Sequence, residues 1–365
     1  MIDLRSDVLG PLGAETLSAL LRAAADRPGF VRHEDEHQAR LERELSEAFG
    51  FEAALFLPTG TMANQISIRL WCAPGEAVAA DHESHLAVNE ASATAGLNGV
   101  AVRPLPGERG HLSPALVRNA LGHRASTSSS DRRLALLWLE NTHNRAGGTI
   151  MPPDWLPQLV AVCKSHGGPA KPVAIHVDGA RIWHASVAGG IDLAETVRGA
   201  SSATVCLNKA LAAPAGALLL GSRAFIDEAS RVQKMFGGLW RPVGFLAAAA
   251  SAAAAHHKAR IAASHDTAHT LATHLVERLQ GIASVPIPET NIVMVGLASE
   301  DHVERVLVGL VARGVRASGY GRARLRFVLH AGISHAEITA AAVQVAETVE
   351  EVLTELKGSA ARKCD

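Results

Sequence analysis

The sequence predicts an α/β fold: a mainly parallel sheet between helices, followed by a smaller C-terminal α+β domain. Three observations carry this. Short apolar runs alternate with helix-like stretches through the first 250 residues, as expected when a sheet is covered on both faces. One of these runs, in "VAIHVDGARIW" (173–183), stops on a carboxylate, Asp178. In open α/β sheets, ligands sit beyond the carboxyl ends of the strands. After about residue 250 the pattern changes to long helices around two apolar runs, 292–297 and 325–329.

The elements follow in chain order. Apolar runs at 53–57, 77–80, 134–139, 173–177, 203–207 and 216–220 have the length and β-branched or aliphatic content of buried strands. Between them, stretches such as 40–49 and 64–72 carry helical spacing. "GHRASTSSSDRR" (122–133) reads as the most loop-like internal segment, and "KGSAARKCD" (357–365) as a flexible tail. The expected domains are therefore 1–250 and 251–356.

Composition narrows the function. At 365 residues with 48% hydrophobic content, the chain can bury a large core. A formal charge of −1 gives no sign of a nucleic-acid surface. Cys72, Cys163, Cys206 and Cys364 lack CxxC spacing, which suits a reducing compartment. "MIDLRSD" has no signal-peptide character, and the alanine-rich run 246–255 is too short to span a membrane before it meets His256, His257 and Lys258. A soluble cytoplasmic protein is the expectation.

A carboxylate at a core strand end needs a cation or hydrogen-bond donors, because an unpaired one protonates instead. Lys209, in "SATVCLNKALAAPAGALLLG", stands just past the next apolar run. A lysine in an apolar pocket becomes a nucleophilic amine able to form a Schiff base. An acid for a pyridinium nitrogen and a lysine for an aldehyde are what pyridoxal phosphate requires. Each alone has a plainer explanation, a helix cap for Asp178 and a solvated surface position for Lys209.

The chain resembles the threonine aldolases, in the β-eliminating lyase group of the fold-type I pyridoxal-phosphate enzymes. The motifs are "DLRSD" (3–7), "LFLPTGTMANQ" (55–65), "HESH" (82–85), "LENTHN" (139–144), "HVDGAR" (176–181), "CLNKALAAPAGALLLG" (206–221) and "RFVLHAGIS" (326–334), in the family's order. The resemblance implies a fold-type I cofactor-binding domain over 1–250 and pyridoxal 5'-phosphate as cofactor. It gives Asp178 the ring nitrogen, with Arg181 beside it, and Lys209 the Schiff base. Gly179 and Ala180 would be small because the cofactor approaches the backbone. Thr59, Gly60 and Thr61 would cradle the phosphate where a helix begins, a position that otherwise reads as an ordinary N-cap. His85 would stack on the ring and serve as a base, with His82 a nearby decoy. Arg326 would grip the substrate carboxylate bidentately, with Ser6 and Asn141 close by. Arg241 would reach a phosphate, in some members across a subunit interface. A homotetramer, a dimer of dimers with shared active sites, is also implied.

The departures from the pattern are specific. Val8 replaces a threonine, and Asn208, Ala210 and Ala212 replace a serine and two glycines. Arg32 stands where the family has a tyrosine near the substrate, so it is a candidate to bind a second anionic group on the substrate, or else to pair with Glu34, Asp35 or Glu36. "HEDEH" (33–37) matches H-E-x-x-H, but it lacks the apolar face of a zinc-binding helix, so no metal is expected and these charges form a solvated helix entry or line the active-site mouth. Retro-aldol cleavage of a β-hydroxy-α-amino acid to glycine and an aldehyde is the leading expectation. A different pyridoxal-phosphate reaction (β-elimination, racemisation or a specialised aldol step) comes second, and a non-catalytic binding protein third.

Overall fold

The computed structural model describes residues 1–26, 29–122, 133–166, 172–321 and 323–361. Residues 123–132 of the loop-like segment and 362–365 of the expected tail lie outside the described residues. The last helix, His335–Ala361, runs through the start of that tail.

Strands are numbered along the chain: β1 (Ile2–Asp3), β2 (Ala53–Leu57), β3 (Ala77–Asp81), β4 (Ala101–Leu105), β5 (Leu134–Glu140), β6 (Ala174–Gly179), β7 (Ser202–Cys206), β8 (Ala217–Gly221), β9 (Ile292–Gly296), β10 (Val315–Arg316), β11 (Ser318–Gly319) and β12 (Arg324–Val328). The chain divides into two compact units, Leu12–His257, and Met1–Pro11 with Lys258–Asp365.

The Leu12–His257 unit contains a seven-stranded sheet in the order β2-β8-β7-β6-β5-β3-β4. All pairs from β7 to β4 are parallel, and β8 runs antiparallel to both its neighbours. The six apolar runs expected in this region all become strands, within two residues at either end. β4 is the one the pattern hides. It carries Arg103 and Pro104 and lies at the sheet edge, where a proline costs no ladder hydrogen bond. The other six strands are buried along their whole length, which requires apolar cover on both faces. The helix Gly60–Trp71 supplies part of that cover. It buries Ala63, Ile66 and Ile68, and also the polar Asn64, Gln65 and Ser67, so those three must find partners inside.

In the other unit β9, β12 and β11 form an antiparallel sheet, and β1 pairs in parallel with β10. Its core contains Leu4, Leu271, Leu275, Val295, Phe327, Leu329 and Val345. Residues 1–11 thus fold with the C-terminal segment and not with the large domain they precede, because β1 and Leu4 are committed to that second core. Among the described residues, no helix is long and apolar enough to cross a membrane.

Candidate active site

β6 ends as the sequence suggests, on Asp178 and Gly179, next to the end of β5 at Glu140. A cavity of about 200 Å³ opens there, and Pro58–Thr61, Asn64, His85, Asp178, Arg181 and Lys209 are among the residues that line it. The strand ends position Asp178 and Glu140. A loop after β7 brings Lys209, with Asn208 beside it. That loop is closed by hydrogen bonds from Ala212 N to Lys209 O (2.9 Å) and from Ala213 N to Leu207 O (3.0 Å). Ala212 holds a left-handed φ of 51°, a conformation that disfavours any residue with a Cβ, which fits the family's glycine there.

Asp178 is almost fully buried. Its Oδ2 accepts from Asn64 Nδ2 at 2.9 Å and its Oδ1 from Ala180 N at 3.1 Å. Burial raises its pKa to about 6, helped by the carboxylates of Glu140 and Glu90 and opposed by His85 and Lys209. Gly179 needs a correction: a Cβ there would come within 2.9 Å of Thr204 O and 3.0 Å of Ile182 Cβ. The packing of β6 on its own neighbours requires the glycine, whereas Ala180 does line the cavity.

Thr59 caps the twelve-residue helix Gly60–Trp71, accepting from Met62 N at 3.1 Å. The N-cap reading and the phosphate reading are compatible, because the first backbone N–H groups of a helix have no acceptor within it. Gly60 is fixed from below, since a Cβ would come within 2.9 Å of Cys206 Sγ.

His85 begins the helix His85–Asn89, capped by Ser84. Its backbone N donates to Glu140 Oε2 at 2.6 Å, and Asn144 N donates to the other oxygen at 2.8 Å. One buried carboxylate therefore ties together two loops that face the cavity. Burial works against the His85 charge, but the Glu90 hydrogen bond and the carboxylates of Asp178, Glu90 and Glu140 outweigh it, and its pKa is raised. His82 is exposed and beside Asp81, outside the cavity.

Arg181 Nη1 donates to Asn144 Oδ1 at 3.2 Å on the cavity wall. Asn141 is buried with its Oδ1 accepting from Met151 N, and Thr142 and Asn144 line the cavity in its place. Asn144, Glu140 and Asn64 stand inside motifs the sequence already marks, so their motif position is the signal for them. Glu90 has none in the spacing.

Two expected residues, Arg32 and Arg241, lie elsewhere. Arg32 is paired with Glu42 at 2.6 Å and also donates to Ala54 O, so its guanidinium is engaged away from the cavity and not by Glu34, Asp35 or Glu36. This corrects its assignment to substrate: β2 is an edge strand, and Arg32 and Glu42 bond its outward Ala54 O and Phe56 N. Arg241 is exposed with its guanidinium 4.8 Å from the centre of the Phe30 ring, away from the cavity of its own chain. In "HEDEH", Asp35 caps the helix Glu36–Ala48, so His33 precedes the helix and cannot share a helical face with His37. His37 instead lies 2.8 Å from Asp26.

Ser6 and Arg326 belong to the C-terminal unit. Ser6 caps the short turn Asp7–Leu9, and Arg326 in β12 lies over the Tyr320 ring at 4.1 Å and donates to Arg5 O at 3.2 Å. The two residues come from opposite ends of the chain to adjoining segments.

A buried acid at the end of β6, a lysine on the loop after the adjacent β7 and a helix N-terminus thus line one cavity at the carboxyl edge of an α/β sheet. The chain belongs to the beta-eliminating lyase family, whose model matches residues 3–300. It is 35% identical over 301 residues to the low specificity L-threonine aldolase of Escherichia coli strain K12, covering 82% of this chain and 86% of that protein. It is 32% identical over 343 residues to low-specificity L-threonine aldolase 1 of Arabidopsis thaliana, covering 92% and 93%. The Leishmania major threonine aldolase structure shares the fold, with a TM-score of 0.75 at 18% identity over 96% of this chain and all of that one.

Proposed function

We propose that this protein binds pyridoxal 5'-phosphate and cleaves a β-hydroxy-α-amino acid of the threonine or allo-threonine type to glycine and an aldehyde. The observation that carries the reading is the convergence of Asp178, Lys209 and the N-terminus of the helix Gly60–Trp71 on one 200 Å³ cavity. The donor set fits the cofactor: a carboxyl for a ring nitrogen, an amine for an aldehyde and backbone N–H groups for a phosphate. When bound, the cofactor supplies the electron sink for the bond pair released at Cα.

The chain's own groups do the rest. Asp178 would hold a proton at the ring nitrogen, the Gly60 and Thr61 N–H groups would hold the phosphate, and the Lys209 amine would hold the aldehyde carbon. His85 takes the proton from the β-hydroxyl as the Cα–Cβ bond breaks and the new C=O forms, and a proton is then returned to Cα to give glycine. Assignment of the substrate carboxylate to Ser6 and Arg326 rests on the resemblance alone. We further propose a homotetramer with shared sites, supported by Arg241, which is exposed beside Leu239 and Trp240, both partly exposed apolar side chains.

The test is incubation of the cofactor-loaded protein with L-threonine, L-allo-threonine and phenylserine. Glycine and the matching aldehyde are expected in equal amounts. Borohydride reduction should fix one cofactor mass on the wild type, at Lys209, and none on Lys209→Ala. Release of a keto acid or an inverted amino acid in place of glycine overturns the aldolase reading, and the absence of any adduct overturns the cofactor.

A further inference from the structure

Glu90 directly follows the helix His85–Asn89 and is almost fully buried at 2% exposure. Its Oε1 lies 2.6 Å from His85 Nδ1 and accepts from Asn64 Nδ2 at 3.0 Å, while its Oε2 accepts from Gln65 Nε2 at 3.0 Å. Gln65 is itself anchored, its Oε1 accepting from Asn98 Nδ2 at 3.0 Å. Asn64 also donates to Asp178 Oδ2, so one amide group spans both carboxylates. Its own Oδ1 is buried with no partner, which shows that the two carboxylates dictate how the amide is turned. Side-chain atoms of His85, Glu90 and Asp178 all lie within 4.8 Å of one another.

We propose that Glu90 is the positioning residue of His85: it takes the Nδ1 hydrogen, so that Nε2 is the nitrogen presented to the reacting hydroxyl. This rests on the role of His85 proposed above. An ionised carboxylate only accepts, so Nδ1 keeps its hydrogen in both charge states of the ring, and Nε2 alone gains and loses the proton. The partner of one ring nitrogen fixes the tautomer and the ring plane, the arrangement that an acid–histidine pair uses wherever histidine must move a proton. The groups facing His85 are Glu90 from the residue after its own helix, Glu140 from the end of β5 and Asp178 from the end of β6, while Lys209 and Arg181 line the same cavity with the opposite charge. Burial disfavours the imidazolium, and these three carboxylates reverse the balance.

A purely structural Glu90, tying the helices Gly60–Trp71 and Ala91–Asn98 to each other, would leave the titration of His85 alone, and this separates the two roles. The measurement is a nitrogen-15 NMR titration of histidine-labelled holoenzyme, with His85 assigned by the signal lost in His85→Gln, alongside the pH profile of kcat/KM. In Glu90→Gln the His85 midpoint should fall by about one unit or more, the usual effect of removing an adjacent opposite charge. The neutral ring should lose its Nδ1–H preference, the acid limb of kcat/KM should move down with the midpoint, and kcat should fall more than KM rises. Glu90→Asp, which keeps the charge, should restore most of the midpoint, and Glu90→Ser, which removes it, carries the readouts expected of Glu90→Gln if that variant does not fold. An unchanged midpoint and tautomer in a folded variant overturns the proposal, whatever its activity. If the wild type does not cleave any of the amino acids tried, the functional reading fails while the NMR still decides whether Glu90 governs His85.

Discussion

At the scale of single residues, the site is governed by buried carboxylates that must be balanced. Asp178 has a raised pKa of about 6 in the folded protein, with burial as the largest cause. The sign follows from linkage. Between the unfolded value near 3.8 and about 6, the folded state binds more protons than the unfolded one, so this group's contribution to stability declines as pH rises through that window. In the cofactor-free protein, the stability of Asp178→Asn relative to wild type should therefore increase from pH 4 to pH 6.5 and then level off. Urea unfolding at a series of pH values measures it, and a flat difference refutes the assigned shift. In the loaded enzyme the same variant should keep its covalent adduct but lose about 10²–10³ in kcat, the usual effect of removing one preorganised electrostatic group. Near-normal turnover would remove Asp178 from the mechanism.

At the scale of elements, β2 shows why a residue that looks functional can be structural. As the sheet edge, β2 presents unpaired backbone groups outward. Ala54 O takes a hydrogen bond from Arg32, Phe56 N donates to Glu42 Oε1 at 2.9 Å, and Phe56 O accepts from Gln233 Nε2 at 3.2 Å, so side chains from the helices Glu36–Ala48 and Arg223–Met235 and from the approach to the first of them cover the edge. Burial raises the pKa of the Glu42 carboxyl, an effect that the Arg32 charge offsets only in part. Arg32→Ala leaves that carboxyl buried without its cation and should destabilise the protein by about 3–5 kcal/mol. The ratio of kcat/KM for β-hydroxyaspartate to that for threonine should stay unchanged. A stable variant with an altered ratio would return Arg32 to the substrate.

At the scale of the whole molecule, the first eleven residues complete a core built from the last third of the chain. Leu4 is fully buried there, so Leu4→Ala should cost about 2–5 kcal/mol, read from the denaturant midpoint. A loss below 1 kcal/mol would show that β1 is an ornament of the second unit. The proposed assembly makes a different prediction. If Arg241 serves the neighbouring subunit's site, Lys209→Ala and Arg241→Ala chains, each defective alone, should recover about a quarter of wild-type activity after mixed reassembly at equal amounts, because half the random pairs carry one intact site of two. No recovery in chains shown to co-assemble would place Arg241 outside the reaction.

Much of this was legible in the sequence because strands buried on both faces must be apolar along their length, and that leaves a pattern. The runs at 53–57, 77–80, 134–139, 173–177, 203–207 and 216–220 carry it, while β4, half-exposed at the edge with Arg103 and Pro104, has no need of it. Lys209 and Asp178 were legible for the same reason, as charged residues interrupting or ending apolar runs where a fold of this class gathers ligands. What the sequence could not give was partnership. Glu90, five residues after His85, became its carboxylate only when the helix Gly60–Trp71 brought Asn64 and Gln65 against both, and Gly179 owes its size to Thr204 and Ile182. Arg32 looked like a substrate residue until β2 proved to be an edge. Local composition reports burial, which each residue meets separately. Which charge neutralises which depends on distances of about 3 Å between segments far apart in the chain, and those are set only when the sheet and its helices pack.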